Sequence, residues 1–263
     1  MNVLRKCKTY RKTAVVTGAT SGIGREIARI LCGKGYHVIL TGRNERELMR
    51  LAYELGKPYA TAVSADLSDS GECFELYRFA CKYNTEVLIN NAGFGIYGEF
   101  LSTSLAEETV LIDVNIRAVH ILMKLFLRRF AVRDHGYILN VASAAGFMPG
   151  PFMSSYYASK SYVVNETAAV YQEIRRRHIN VGISMLCPGP VKTDFNRRAG
   201  VKGAFSGITP YEAAKAGVDG MFEKKPVIVP TFAIKAAVLL GGAAPVTLSA
   251  FVNRFIQSLK KPL

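Results

Sequence analysis

A tyrosine and a lysine four residues apart stand in the run Ser154-Ser155-Tyr156-Tyr157-Ala158-Ser159-Lys160. On a helix of about 3.6 residues per turn, Tyr156 and Lys160 share a face one turn apart. A phenol with an ordinary pKa of about 10 exchanges protons poorly near neutral pH, and an ammonium held close by lowers that pKa. The chemistry such a pair suits is proton transfer to or from an oxygen. A surface-helix ion or dipole pair has the same spacing, so proton transfer requires a reacting group beside it.

The first candidate for that neighbour is a phosphate loop. Thr13-Ala14-Val15-Val16-Thr17 reads as a short buried parallel strand, and it breaks into Gly18-Ala19-Thr20-Ser21-Gly22-Ile23-Gly24. Ile23, Ile27, Ile30 and Leu31 then recur at helical spacing until Gly33 and Gly35. Strand, glycine-rich turn and helix are the context in which a glycine pattern binds a dinucleotide. Gly18 permits the tight turn, Gly22 the approach of a pyrophosphate, and Gly24 the packing of helix on strand. The phosphates then lie at a helix N-terminus, where free N–H groups and the dipole favour negative charge. Thr20, Ser21 and Ile23 complete this expected cofactor contact.

The second strand, Tyr36 to Leu40, is followed by Thr41-Gly42-Arg43. An acidic residue at this strand end would bind the ribose 2′-hydroxyl of NAD. Arg43 without a carboxylate suits a 2′-phosphate instead, so NADP(H) is the expected cofactor. Asn44 and Glu47 make a capping-box pattern, with Leu48, Leu51, Ala52 and Leu55 on one helix face. A third strand from Tyr59 to Ala65 ends in Asp66-Leu67-Ser68; Asp66 suits either an adenine amino group or the cap of the next helix. That helix is expected to turn Phe74, Tyr77 and Cys81 inward, before a fourth strand, Glu86 to Ile89.

Asn90-Asn91-Ala92-Gly93 directly follows that strand. With Thr17-Gly18-xxx-Gly22-x-Gly24 and Tyr156-xxx-Lys160, it resembles the short-chain dehydrogenase/reductase family, over about residues 13 to 193. That resemblance implies cofactor contacts from Asn91, Ala92 and Gly93. It implies a catalytic role for Asn115, in an expected helix from about Ser104 to Arg133, where its backbone helps hold a water relaying protons to the lysine. It implies that Tyr156 exchanges a proton with the substrate oxygen and that Lys160 binds the nicotinamide ribose. Cys187-Pro188-Gly189-Pro190-Val191-Lys192-Thr193 matches the family's proline–glycine turn, so Pro188, Gly189 and Val191 would touch cofactor and Thr193 would bind the nicotinamide carboxamide. Ser143 closes the fifth strand, Tyr137 to Ala142, and points into the crevice at the carboxyl ends of the strands. It precedes Tyr156 by thirteen positions, the family's serine–tyrosine spacing.

The elements that position these residues alternate strand and helix along the chain. The expected fold is a single Rossmann-type doubly wound α/β domain, with a parallel sheet of about seven strands and helices on both faces. The loop from Ala144 to Ser155, rich in Phe, Met and Pro, offers an apolar wall beside the reacting centre. Residues 194–215 are expected to form a substrate lid, carrying Arg197, Arg198 and Lys202. Pro226 to Pro230 reads as a last strand. Residues 231–263 form a C-terminal extension, expected as a helical cap on the cleft or on a subunit neighbour. An interfacial membrane helix is the alternative there, since Gly241-Gly242 and Pro245 interrupt any spanning run.

Composition limits the function classes. The chain has 263 residues, 49% hydrophobic and 21% charged, enough for a sizeable core. A net charge of +14 admits an anionic ligand, nucleic acid or an anionic membrane. No nucleic-acid-binding pattern accompanies the charge, so no nucleic-acid partner is expected. Five cysteines without a CxxC pair fit a reduced, cytoplasmic setting and no metal site. The basic N-terminus lacks the apolar stretch of a secretory signal, and no G-x-S-x-G elbow points to a hydrolase. The sequence reading is an NADP(H)-dependent oxidoreductase interconverting a carbonyl and a secondary alcohol on a hydrophobic small molecule, as a homodimer or homotetramer. The alternatives are a non-catalytic NADP-binding regulator, against which Ser143, Tyr156 and Lys160 argue, and a membrane-surface-associated protein. Tyr157, about 100° round the helix from Tyr156, is expected to pack away from the site.

Overall fold

Short runs of Val, Ile, Leu and Ala bounded by glycine, asparagine or serine make strands that can be buried on both faces, and the amphipathic stretches between them make the covering helices. The computed structural model describes residues 11–56, 58–202, 207–243, 245–258 and 261–262. In chain order the first half comprises β1 (Lys12–Thr17), α1 (Gly22–Gly33), β2 (His37–Gly42), α2 (Glu45–Leu55), β3 (Ala60–Ser64), α3 (Ser70–Ala80) and β4 (Asn84–Asn90). Then follow α4 (Leu105–Ile112), a π turn at Asp113–Arg117, α5 (Ala118–Arg133), β5 (Gly136–Val141), α6 (Ser154–Arg176) and β6 (Val181–Leu186). The chain continues through α7 (Phe195–Arg198), β7 (Val201–Lys202), α8 (Pro210–Phe222), β8 (Val227–Ile228), α9 (Phe232–Ala243), α10 (Val246–Ser258) and β9 (Lys261–Pro262).

Seven strands form one sheet in the order β3-β2-β1-β4-β5-β6-β8, parallel throughout. This is the doubly wound α/β architecture expected from the sequence. Strand order reverses between β1 and β4, which opens a crevice at their carboxyl ends. Side chains alternate across the sheet. Ala14 and Val16 join Ile27, Leu31 and Val218 on the face covered by α1, α2 and α8, while Val15 joins Phe126, Phe130 and Ile138 under α3, α5 and α6.

Buried polar side chains fix how α6 sits on the sheet. Asn90 Nδ2 on β4 donates to Asn140 Oδ1 on β5 at 2.9 Å, and Asn140 Nδ2 donates to Thr167 Oγ1 on α6 at 2.9 Å. Thr167 Oγ1 donates in turn to the Val163 carbonyl at 2.6 Å. Left unpaired, such groups would cost about 1–3 kcal/mol each, so the chain holds α6 in one register over the ends of β4 and β5.

Several local expectations differ from what is seen. Helix α3 buries Cys73, Leu76 and Ala80, and Phe74, expected inward, is exposed. Packing against α5 decides that face, with Tyr77 set edge-on to Phe126 at 5.2 Å. The single helix expected from Ser104 to Arg133 is divided by the π turn. Asn44 caps α2 by accepting from the Glu47 N–H at 3.1 Å, but the Glu47 carboxylate bonds Arg50 rather than completing a box. Of the span expected as a lid, residues 203–206 lie outside the described residues, and Pro210 onward opens α8, whose Ala213 and Ala214 are buried in the core. The basic N-terminal residues 1–10 and Cys7 also lie outside the described residues.

Phe126 is fully buried between Tyr77 and Phe130. Phe126→Ala should lower the unfolding free energy by about 3–5 kcal/mol, read as a fall in urea midpoint at unchanged slope.

Candidate active site

Thr17 closes β1 and clasps the two halves of the sheet. Its hydroxyl accepts from the Asn91 and Ala92 N–H groups at 2.8 and 2.9 Å and donates to the Ile89 carbonyl at 3.2 Å. Asn91 Nδ2 donates back to the Thr17 and Gly18 carbonyls at 2.9 and 3.1 Å. This crowding explains the glycines. A Cβ on Gly24 would lie 2.4 Å from both the Gly18 carbonyl oxygen and Asn91 Nδ2, and Gly18 has φ +63 with a Cβ position 2.9 Å from the Ala92 Cα. A Cβ on Gly22, φ +54, would lie 3.1 Å from the Thr193 methyl across the cleft mouth. The turn is thus bare backbone at a helix N-terminus, and it fits a dinucleotide pyrophosphate.

A cleft of about 580 Å³ runs from that turn to Tyr156. Gly18, Thr20, Ser21, Gly22 and Ile23 line one end, Arg43, Asp66 and Leu67 flank it, and Asn91, Ala92 and Gly93 form its floor. Ser143, Tyr156 and Lys160 stand further along, opposite Pro188, Gly189, Val191 and Thr193. Of the residues singled out from sequence, only Gly24 and Asn115 are not on the wall, and both act from just behind it. Tyr157, expected to pack away, also belongs to it, its ring 6.1 Å from that of Tyr156, as does Arg198 of α7, from the segment expected as the lid. Tyr157 reaches the cleft because the loop before α6 folds back beside it, with Gly150 pressed on its ring. From that loop Ala144, Ala145 and Met153 line the cleft; Phe147 packs beneath, against the core cluster of Val163 and Val164.

Asn115 sits in the π turn, where the Ala118 N–H reaches back five residues to the Asp113 carbonyl. Its Oδ1 accepts from the Phe94 N–H at 3.1 Å, and its Nδ2 donates to the Phe94 carbonyl at 2.9 Å and to Ser159 Oγ at 3.0 Å. Ser159 Oγ donates to the Tyr156 carbonyl at 2.7 Å. Asn115 therefore ties the segment after Gly93 to the first turn of α6. Sequence reasoning passed over Ser159 and named Thr17 only as part of a motif; a hydroxyl at a strand end or one turn from a reactive side chain is the signal available for both.

Lys160 is buried, and its Nζ donates to the Val141 carbonyl at 2.8 Å, 5.9 Å from the centre of the Tyr156 ring. Burial depresses its pKa to about 8. Burial also pushes the Tyr156 phenol up to about 12, opposed by a hydrogen bond with Ser143. The lowered phenol pKa expected from the lysine is thus not found: desolvation outweighs a cation whose hydrogen bond goes to the sheet.

At the other end, the Ser68 N–H, helped by the Ser68 hydroxyl and by nearby Arg43, holds the Asp66 carboxyl below its ordinary value. The cap of α3 is Asp69, not Asp66. Arg43 and Arg198 both border a second, polar hollow beside the cleft. Among the described residues neither guanidinium forms an ion pair, whereas Arg25 and Arg50 bind Glu47 and Arg197 binds Asp194.

The substrate end is apolar and aromatic. Met153, Ala199 and Val201 cluster there with Tyr97, Tyr156, Tyr157 and Phe195, whose ring lies 5.1 Å from that of Tyr156.

The model for the short chain dehydrogenase family matches residues 12–202. A 3-oxoacyl-(acyl-carrier-protein) reductase of Rickettsia conorii is 33% identical over 193 residues, covering 73% of this chain and 77% of that protein. Among solved structures, a short-chain dehydrogenase from Sphingobium yanoikuyae in complex with NADPH superposes with a TM-score of 0.80 at 26% identity, over 88% of this chain and 92% of that one. A short-chain dehydrogenase/reductase from Burkholderia phymatum in complex with NAD gives a TM-score of 0.80 at 26% identity, over 96% of both chains.

The Lys160 shift has a stability consequence. Below about pH 8 the ammonium is charged in both folded and unfolded chains, and folding bears its desolvation in full. From about 8 up to the ordinary value of 10.5 the unfolded chain holds more protons, so this penalty shrinks as pH rises. Urea unfolding of wild type and Lys160→Met should show the wild type gaining stability relative to the variant across that window; a pH-independent difference would contradict the burial described.

Proposed function

The chain belongs to the short-chain dehydrogenase family, whose fold carries carbonyl/alcohol oxidoreduction on a nicotinamide dinucleotide, and we propose that it is an NADP(H)-dependent reductase of a hydrophobic carbonyl compound. The observation that carries the reading is the meeting of Ser143, Tyr156 and Lys160 on one cleft wall, where its glycine-lined and aromatic parts join. A bound nicotinamide would supply or accept the hydride. In reduction Tyr156 donates its phenolic proton to the carbonyl oxygen, and in oxidation it takes the proton back. Burial alone leaves the phenol a weak acid, and the positive charges of Lys160 and of a bound oxidised nicotinamide would bring its pKa back toward the working range. The Ser143 hydroxyl hydrogen-bonds the same oxygen and orients it. Lys160, in reach of Gly93, holds the ribose and passes on toward Tyr156 a proton that a water near Asn115 relays to it.

Gly18 to Gly24 bind the pyrophosphate through backbone N–H groups, Asp66 and Leu67 flank the adenine, and Asn91, Ala92 and Gly93 floor the ribose. Pro188, Gly189, Val191 and Thr193 hold the carboxamide side. NADP(H) is preferred because Arg43 and Arg198, in no ion pair among the described residues, border the hollow where a 2′-phosphate would lie. The relative bound to NADPH and the relative bound to NAD leave that preference to this chain's own residues. The aromatic lining favours an apolar group flanking the carbonyl, as in an acyl chain, a steroid or an aryl ketone.

Tyr156→Phe should lower NADPH-dependent ketone reduction by about 10²–10⁴-fold, with NADPH binding by fluorescence retained; wild-type turnover in this variant would remove the assignment. Arg43→Ala should weaken NADPH binding about tenfold or more and leave NADH nearly unchanged, as expected for loss of one charge-assisted phosphate contact. Equal losses would remove the 2′-phosphate argument.

A further inference from the structure

Helix α10 has its polar side chains turned inward and its apolar ones outward. Asn253 and Gln257, one turn apart, are 5% and 2% exposed, whereas Phe251 and Phe255 are each 55% exposed. The inner face is held by hydrogen bonds: Asn253 Nδ2 donates to the Pro149 carbonyl at 2.8 Å, Gln257 Nε2 to the Tyr157 hydroxyl, and the Tyr97 hydroxyl to the Gln257 carbonyl at 3.2 Å. Those partners are the loop and the aromatic residues of the substrate end, so the orientation of α10 is fixed by the site it covers.

The outer face is a continuous apolar strip. Leu248, Phe251, Val252 and Phe255 recur at helical spacing and are all exposed. Phe251 and Phe255 pack edge to face at 5.2 Å, and the Arg254 guanidinium lies 5.5 Å from both ring centres. An exposed apolar patch of this kind marks an interaction surface.

Charge identifies what covers it. From Pro226 to Leu263 the chain contains no Asp or Glu, and it carries four cations: Lys235, Arg254, Lys260 and Lys261. Two copies meeting through this face by two-fold symmetry would set like charge against like. An anionic lipid surface complements it. Aromatic and aliphatic side chains on one side of a helix, with cations alongside, suit a helix lying in the interfacial plane. Among the described residues no helix is long and apolar enough to cross a membrane.

We propose that the outer face of α10 docks on the surface of an anionic phospholipid bilayer, with Leu248, Phe251, Val252 and Phe255 entering the acyl boundary and Arg254 at the headgroups. Docking there leaves the inner face of the same helix, and with it Tyr157 and the aromatic end of the cleft, about 10 Å from the lipid, one helix diameter away. The contact is independent of the catalytic reading, since none of its residues lines the cleft.

The test is sedimentation of the full chain with vesicles of phosphatidylcholine alone and of phosphatidylcholine mixed with phosphatidylglycerol. Wild type should bind the mixed vesicles, and salt should weaken that binding. The double variant Phe251→Ser/Phe255→Ser, confined to exposed side chains, should bind more than about tenfold more weakly at an unchanged thermal midpoint. Arg254→Glu should reduce binding to mixed vesicles and leave binding to neutral ones unchanged. Absent wild-type binding to mixed vesicles, or equal binding by the double variant, would overturn the proposal. A wild-type dimer that the double variant converts to a monomer, without vesicle binding, would overturn it in favour of a second copy of the chain.

Discussion

The cleft depends on one buried contact, the hydrogen bond from the Lys160 ammonium to the Val141 carbonyl at the end of β5. A strand's last carbonyl has no ladder partner beyond the sheet edge and must be satisfied in some way. Here a helix supplies the donor, which pins the start of α6 over the strand ends and places Tyr156 beside Ser143. The contact has a cost, since an ammonium taken from water favours its neutral form, and the lowered pKa records it. Asn115 and Ser159 brace the same helix turn from one side, and the Asn90–Asn140–Thr167 chain braces it from below.

These networks stand at the carboxyl ends of β1, β4 and β5, whereas the middles of those strands are largely apolar on both faces. The separation follows from the parallel sheet. Helices cover both faces and exclude water from the strand centres, while the ends face the crevice where strand order reverses. Thr17, Asn91 and the three glycines occupy the most crowded part of that crevice, and each contact there links segments far apart in sequence. Backbone, rather than side chain, is thereby left facing the place where phosphates would lie.

The substrate end is assembled differently. It draws Met153 and Phe152 from the loop before α6, Phe195 and Val201 from the segment after β6, and polar anchors from α10. Phe152 adopts φ +65 with its ring near Tyr97, a conformation that a bulky residue holds only when its neighbours require it. β7 pairs with β9 at the very end of the chain. The C-terminal segment is therefore joined to the same structure that walls the apolar end of the cleft.

Read alone, the sequence determined the alternation of strands and helices, the glycine turn after β1, and the serine, tyrosine and lysine that meet in the cleft. These are legible because they rest on spacings of a few residues: two for a strand, about 3.6 for a helix, and fixed offsets in a turn. Features set by contacts between distant segments were not legible. The inward face of α3 depends on α5, and the π turn at Asn115 on the pull of Phe94 and Ser159. The presence of Tyr157 in the cleft depends on a loop folding back beside it, and Arg198 comes to border the same hollow as Arg43 only in the folded chain. Most of all, the proton affinities of Tyr156 and Lys160 were decided by the tertiary structure. The spacing of the pair foretold a phenol acidified by its neighbour; burial of both groups, which no local pattern encodes, made desolvation the larger effect.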